Sequence, residues 1–272
     1  MSNNTSVLDI YGDYRDLDLN YSMTSQDYFV HMLRFSKVVD LTHGKNIFDI
    51  GCGKYTNLLK ALCMMRRGPD YKAYIGTDYN KCQRWRPNYA PIWDKTLIYD
   101  GMDFTDTTDV NVLINALEQA FEGEPFIITC FEVLEHMDFE MQNKFLYNLS
   151  RILHNPKFNI ECCLFSTPNH NGSPSKNHIS EISYKLEEEM FNRFDIQIVQ
   201  AQGLSAWKKF CKQENLAPGF SAPRYTEFMP DALQKIIWGA ALPRQFSNNI
   251  LYSLTATKSE LKEYADLRKE PY

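Results

Sequence analysis

The stretch CFEVLEHM, residues 130–137, sets two carboxylates and an imidazole (Glu132, Glu135 and His136) within five positions, directly after the apolar run FIITC. On a surface helix such a cluster is solvated decoration. At the carboxyl end of a buried strand it stands where open α/β sheets bind ligands. If residues 132–136 wind into a helical turn, Glu132 and His136 are i,i+4 neighbours and Glu132 and Glu135 are i,i+3 neighbours, so the three side chains can converge. Further along, His170 closes STPNH and His178 lies in KNHISE, which also carries Glu181. Two carboxylates and two imidazoles from three loops suit a divalent ion such as Mg²⁺, Mn²⁺, Fe²⁺ or Zn²⁺. His170 is also a candidate base. KLEEE, residues 185–189, reads instead as a solvated helix face.

These residues need elements to position them, and the chain supplies an alternating series. Helical period marks residues 25–41, with Thr24 or Ser25 as cap, then the stretch through Leu58, Leu59, Leu62 and Met65, then 109–121. Two further helices run through Phe139–Leu153 and through Leu186, Met190, Phe191 and Phe194. Between them lie the strand candidates 46–51, 73–78, 96–99, 126–130 and 161–167, followed by DIQIVQ and NILYSLTAT. Alternation of this kind predicts a mostly parallel, Rossmann-like α/β sheet of seven strands with helices on both faces. About fifty residues separate the last two strands, far more than a hairpin needs. That segment, 200–248, holds Trp207, Phe210, Phe220, Tyr225, Phe228, Trp238 and a predicted helix over 230–241. It reads as a cap or as a helix packed on the sheet edge. The expected organisation is a single domain over 1–272 with an N-terminal arm at 1–24 and this insertion.

DIGCGKY, residues 49–55, falls between a predicted strand and a predicted helix. Glycines there let the backbone approach a ligand closely, and the helix start offers N–H donors. Asp78 ends the next strand, 25 residues beyond Gly53, where a carboxylate can accept both hydroxyls of a ribose. The dinucleotide pattern G-x-G-x-x-G fails at Thr56.

DIGCGKY, YIGTD and the carboxylate of GMDF together resemble the class I S-adenosylmethionine-dependent methyltransferases over roughly residues 25–200. The resemblance implies that Gly51, Cys52, Gly53 and Tyr55 face the methionine part of S-adenosylmethionine and that Asp49 helps hold that end. It implies further that Asp78 takes the ribose and that Asp103 with Phe104 meets the adenine. Tyr79 and Phe131 complete the implied cofactor-binding set. This chain departs from the family in having Tyr55 where a third glycine is frequent, and Pro125-Phe126 where an acid is frequent.

ExxEH, then STPN and a later histidine, also resembles a narrower group. It comprises the methyltransferases of the 3′-terminal ribose 2′-hydroxyl of small RNAs and the ubiquinone-pathway O-methyltransferases. That resemblance implies Glu132, Glu135, His136 and His178 as metal ligands, with Mg²⁺ or Mn²⁺, and Glu132, His136 and His170 as catalytic candidates. In class I methyltransferases more broadly, EVLEH glutamates serve to organise the loop, and that reading stands beside the first. The expected reaction is O-methylation of a small-molecule or sugar hydroxyl, assisted by a metal.

Composition bounds the alternatives. A net charge of −5 and 44% hydrophobic residues describe a chain with a large core and no broad basic footprint. An RNA 2′-O-methyltransferase would need Arg84, Arg86, Lys208, Lys209, Lys212 and Arg224 to line one cleft. A non-catalytic cofactor-binding protein is the other alternative. No apolar run is long enough for a membrane span, and no CxxC pair occurs among seven cysteines. Reduced thiols and a cytoplasmic location are the expectation.

Overall fold

NIFDI sets Asn46 and Asp49 among three apolar residues and is buried at all five positions, as a strand covered on both faces must be. This is β1 (Asn46–Ile50), and it pairs in parallel with β2 (Ala73–Asp78) on one side and β4 (Phe126–Phe131) on the other. β3 (Thr96–Asp100) extends the sheet beyond β2, and β5 (Ile160–Pro168) beyond β4. β7 (Asn249–Ala256) runs antiparallel to β5, and β6 (Ile196–Gly203) runs antiparallel to β7. The strand order is β3-β2-β1-β4-β5-β7-β6. This computed structural model describes residues 26–54, 56–65, 71–82, 95–170, 178–204, 244, 247 and 249–257.

The helices divide between the faces. α1 (Gln26–Leu41) and α2 (Asn57–Met65) cover one, where Val38, Leu58, Leu59 and Leu62 pack on Ile47, Tyr74 and Leu164. α3 (Thr107–Phe121), α4 (Phe139–Leu153) and α5 (Tyr184–Arg193) cover the other, packing Leu113, Phe145, Leu149 and Phe191 on Phe48, Ile50, Ile128 and Phe165. Successive residues of β1 thus feed opposite cores, as the strand period of two requires. The expected seven strands and two-sided cover are present.

Strand order reverses between β1 and β4. β2 and β3 build outward on one side of β1, β4 and β5 on the other, which leaves a crevice at the carboxyl ends of β1 and β4. The loops bearing Gly51 and Glu132 therefore meet. Caps fix where helices begin around this crevice. Asp106 accepts from Thr108 N and starts α3 two residues before the predicted 109. Asp138 accepts from Met141 N at 2.9 Å and starts α4 directly after the glutamate–histidine loop.

The expectation for 200–248 needs one correction: residues 200–203 belong to β6, where they continue the ladder with β7. The rest of that segment, apart from 204, 244 and 247, lies outside the described residues, as do the 1–24 arm, Thr24, Ser25 and the predicted helix over 230–241. KLEEE is not wholly solvated. Glu187 is buried, and Tyr252 donates its hydroxyl hydrogen to Glu187 Oε2 at 2.5 Å. Among the described residues no helix is long and apolar enough to cross a membrane.

Candidate functional site

The loop after β1 turns on two glycines in left-handed backbone, Gly51 at φ 69° and Gly53 at φ 75°. A Cβ on Gly51 would stand 2.3 Å from Val133 Cγ2, so a bare backbone is needed where this loop touches the loop after β4. Gly51 N and Cys52 N both donate to Thr77 O, at 2.8 and 3.0 Å. Gly53 N donates to Asp78 Oδ2 at 2.9 Å, and Asn80 N donates to Oδ1 at 2.8 Å. Asp78 is thereby aimed by the backbone with one donor on each oxygen, and a carboxylate has capacity for further donors. Tyr79 beside it is 71% exposed, an open ring at the rim. Tyr55 lies outside the described residues.

Asp49 takes a more interior position than a cofactor contact needs. Tyr74 donates to its Oδ2 at 2.5 Å and Thr129 to its Oδ1 at 2.7 Å, which ties β1 to both neighbouring strands. Burial pushes its carboxyl up to about 6 against the restraint of these two hydrogen bonds, and the nearby Asp78 charge adds to the rise. Asp103 is half-buried beyond β3, its Oδ1 accepting from Thr105 N at 2.8 Å and Thr105 Oγ1 at 2.7 Å. The Phe104 ring is buried against Phe145, with centroids 4.8 Å apart. Phe131 is half-buried, its ring 6.0 Å from the Arg34 guanidinium.

The loop after β4 does not form the helical turn over 132–136. Glu132 adopts left-handed backbone at φ 57°, and only Leu134–His136 close a 3₁₀ turn. The reason is non-local. Glu132 N donates to Ser166 O at 2.9 Å, which carries the strand pairing one residue past β4. Its carboxylate forms an ion pair with the buried Arg34 of α1. Ser166 Oγ donates to Oε1 at 3.0 Å and Asn249 Nδ2 to Oε2 at 2.9 Å. Arg34 Nη1 also donates to Ser166 Oγ at 2.7 Å. Glu132 is held by α1, β5 and β7.

Glu135, His136 and His178 do converge, each offering a ligand atom within 4.8 Å of the others. Glu135 is 1% exposed, and neither carboxylate oxygen has a hydrogen-bond partner among the described residues. Burial, and then the Glu132 charge, pushes its carboxyl well above the usual range. A buried carboxylate without donors is costly unless a cation faces it. The His136 and His178 rings lie edge to face with centroids 5.2 Å apart. His178 Nδ1 meets Glu181 Oε1 at 2.5 Å, and Glu181 Oε2 lies 3.9 Å from His170 Nδ1. The hydrogen bond at Nδ1 leaves Nε2 of His178 as the nitrogen with a lone pair to offer.

Backbone ties hold the cluster together across sequence. Ile179 N and Ser180 N donate to Glu135 O at 2.9 and 3.1 Å. Gln142 Nε2, buried on α4, donates to Leu134 O at 3.0 Å and to Ser180 O at 2.9 Å. Two imidazoles and a carboxylate are a fitting donor set for a first-row divalent ion. Ligands bound at about 2.1 Å cannot stand more than about 4.2 Å apart, so the cluster fits an ion after side-chain adjustments of about half an ångström.

Of the four expected ligands, three gather and Glu132 stands apart with Arg34. His170 sits beyond Glu181, at the edge of the same group. Sequence reasoning passed over Arg34, Gln142 and the part played by Glu181. Glu181 had a signal, an acid three residues after His178 in a loop with a fixed turn; Arg34 and Gln142 had none, because their partners lie far along the chain.

No family model matches the sequence, and no curated protein matches it. Solved structures do resemble it. One is a chain of the Haloferax volcanii complex between the Trm112 methyltransferase activator and a chain described as a methyltransferase. It is 14% identical with a TM-score of 0.50, covering 93% of this chain and 100% of that one. The small RNA methyltransferase HEN1 is 14% identical with a TM-score of 0.47, over 86% of this chain and 26% of that one. The O-methyltransferase of a trans-AT PKS multienzyme of Brevibacillus brevis, in complex with S-adenosyl-L-homocysteine, is 13% identical with a TM-score of 0.47, over 93% of this chain and 77% of that one. The first of these likenesses establishes the fold, a Rossmann-like α/β sheet shared with that chain.

Proposed function

We propose that this protein is an S-adenosylmethionine-dependent O-methyltransferase that methylates a small-molecule or sugar hydroxyl with the help of a divalent ion, Mg²⁺ or Mn²⁺. The observation that carries the reading is the buried carboxylate of Glu135, without a hydrogen-bond donor among the described residues and gathered with His136 and His178. It stands one loop away from the Gly51–Gly53 turn, against which Val133 packs.

S-adenosylmethionine would supply the methyl group on an electrophilic sulfonium. Gly51 and Gly53 let the backbone close on the amino-acid end, Asp78 accepts the ribose hydroxyls, Tyr79 offers a face to the adenine, and Asp103 accepts from the base. Asp49 acts from beneath, through β1, and holds the glycine loop in register with Tyr74 and Thr129. Glu135, His136 and His178 would hold the ion, whose chemistry is to make a neutral hydroxyl easier to deprotonate. Glu181 fixes His178 through Nδ1. His170 is exposed enough to accept the departing proton at Nε2, with Glu181 near Nδ1 to stabilise the imidazolium. Glu132, neutralised by Arg34, shapes the wall beside the acceptor.

Thermal melting with S-adenosylhomocysteine, with and without Mn²⁺, tests the reading. Stabilisation by the nucleoside, increased by Mn²⁺ in wild type and not in Glu135→Ala, is the expected result. Absence of any nucleoside shift overturns the proposal. A shift indifferent to Mn²⁺ in both proteins overturns the metal part. The residues that an RNA acceptor would require, Arg84, Arg86, Lys208, Lys209, Lys212 and Arg224, lie outside the described residues.

A further inference from the structure

Two thiols face each other at the glycine loop. Cys52 lies between Gly51 and Gly53, and Cys82 follows Asp78 by four residues. Their sulfurs are 3.8 Å apart. Both side chains are buried, and Cys82 Sγ also reaches Gly53 O at 3.7 Å and Asn80 O at 3.8 Å. The pair thus spans the two loops that hold Asp78 between them, since Gly53 N donates to one oxygen of that carboxylate and Asn80 N to the other.

We infer that Cys52 and Cys82 form a reversible disulfide on exposure to hydrogen peroxide and that this bond closes the nucleoside crevice. The functional half rests on the reading of this loop as the S-adenosylmethionine site; the covalent half does not. Cys82 is the thiol to react first. The hydrogen bond it accepts from Cys52 draws its thiol below the ordinary value, whereas that same bond and burial push Cys52 up. The Cys82 thiolate attacks one peroxide oxygen. An S–O bond forms, the O–O bond breaks, and hydroxide leaves to become water with the proton that Cys82 gave up. Cys52 then attacks the sulfenic sulfur. An S–S bond forms, the S–O bond breaks, and the second hydroxide takes the Cys52 proton as water. Two thiols lose two electrons and two protons, and one peroxide becomes two waters.

A disulfide needs its sulfurs at about 2.05 Å, so the gap of 3.8 Å must close by roughly 1.8 Å. Closing it draws the two loops together and displaces Gly53 and Asn80, the two donors that aim Asp78.

The test treats the reduced full-length protein with graded hydrogen peroxide and maps peptides without reduction. The same samples are titrated with S-adenosylhomocysteine by calorimetry. The expected results are a Cys52–Cys82 cross-linked peptide two hydrogens lighter, an affinity at least about tenfold weaker, and recovery of both with dithiothreitol. Cys82→Ser is expected to form no such cross-link and to keep its affinity through peroxide treatment. Oxidation that stops at sulfinic acid, or that links other cysteines first, overturns the inference. A mapped cross-link with unchanged affinity overturns its functional half. If the reduced protein binds no S-adenosylhomocysteine, the site reading fails, while the peptide map still decides the covalent half.

Discussion

Replacing Asp49 by Asn removes a carboxyl buried on β1 between the hydroxyls of Tyr74 and Thr129. That carboxyl titrates at about 6 in the folded chain against 3.8 for the free group. At about 1.36 kcal/mol per pKa unit, burial raises the free energy of the folded anion by about 3 kcal/mol. Between about pH 4 and pH 6 the folded chain holds a proton that the unfolded chain has released. Stability therefore falls as pH rises through that window and stays reduced above it. The Asp49→Asn variant lacks this slope. It leaves one hydroxyl facing an amide N–H₂, a loss of about 1–2 kcal/mol that does not vary with pH. Urea unfolding of both proteins from pH 4 to pH 7 reads the difference. Over that range the gap is expected to move by about 2.4 kcal/mol in favour of the variant. Stabilities that run parallel within about 0.5 kcal/mol across that range would refute the assignment of a neutral-prone Asp49.

Gly51→Ala forces a Cβ to 2.3 Å from Val133 Cγ2 and a left-handed φ of 69°. The expected loss is about 3 kcal/mol in denaturant unfolding, part of which Val133→Ala restores; a loss under about 0.5 kcal/mol contradicts the close approach of the two loops. Glu181→Ala releases His178 Nδ1, and Mn²⁺ affinity followed by electron paramagnetic resonance is expected to fall about 10–100-fold. Glu181→Gln, which still accepts from Nδ1, is expected to retain more of it, and equal affinity in all three proteins excludes a positioning role.

The alternation of apolar runs and helical periods carried most of the architecture, because each element here obeys its local pattern. NIFDI is buried throughout, and Asp106 and Asp138 cap helices where the apolar stripes begin. The glycine loop and Asp78 were legible for the same reason, since strand, turn and acid lie within one short stretch. The shape of the loop after β4 was not. Glu132 is turned into left-handed backbone by Ser166 of β5 and held by Arg34 of α1 and Asn249 of β7. Those partners lie 34, 98 and 117 positions away by residue number, and a helical wheel drawn over 132–136 contains none of them. The burial of Glu187 inside KLEEE has the same origin, a tyrosine 65 positions further on.

Calorimetric titration of S-adenosylhomocysteine into the reduced wild-type protein and into Asp78→Ala tests the central claim most directly. The account predicts saturable one-to-one binding to wild type, weakened at least about tenfold when the Asp78 carboxylate is removed. Absence of saturable binding to wild type, or equal affinity in the two proteins, would contradict it.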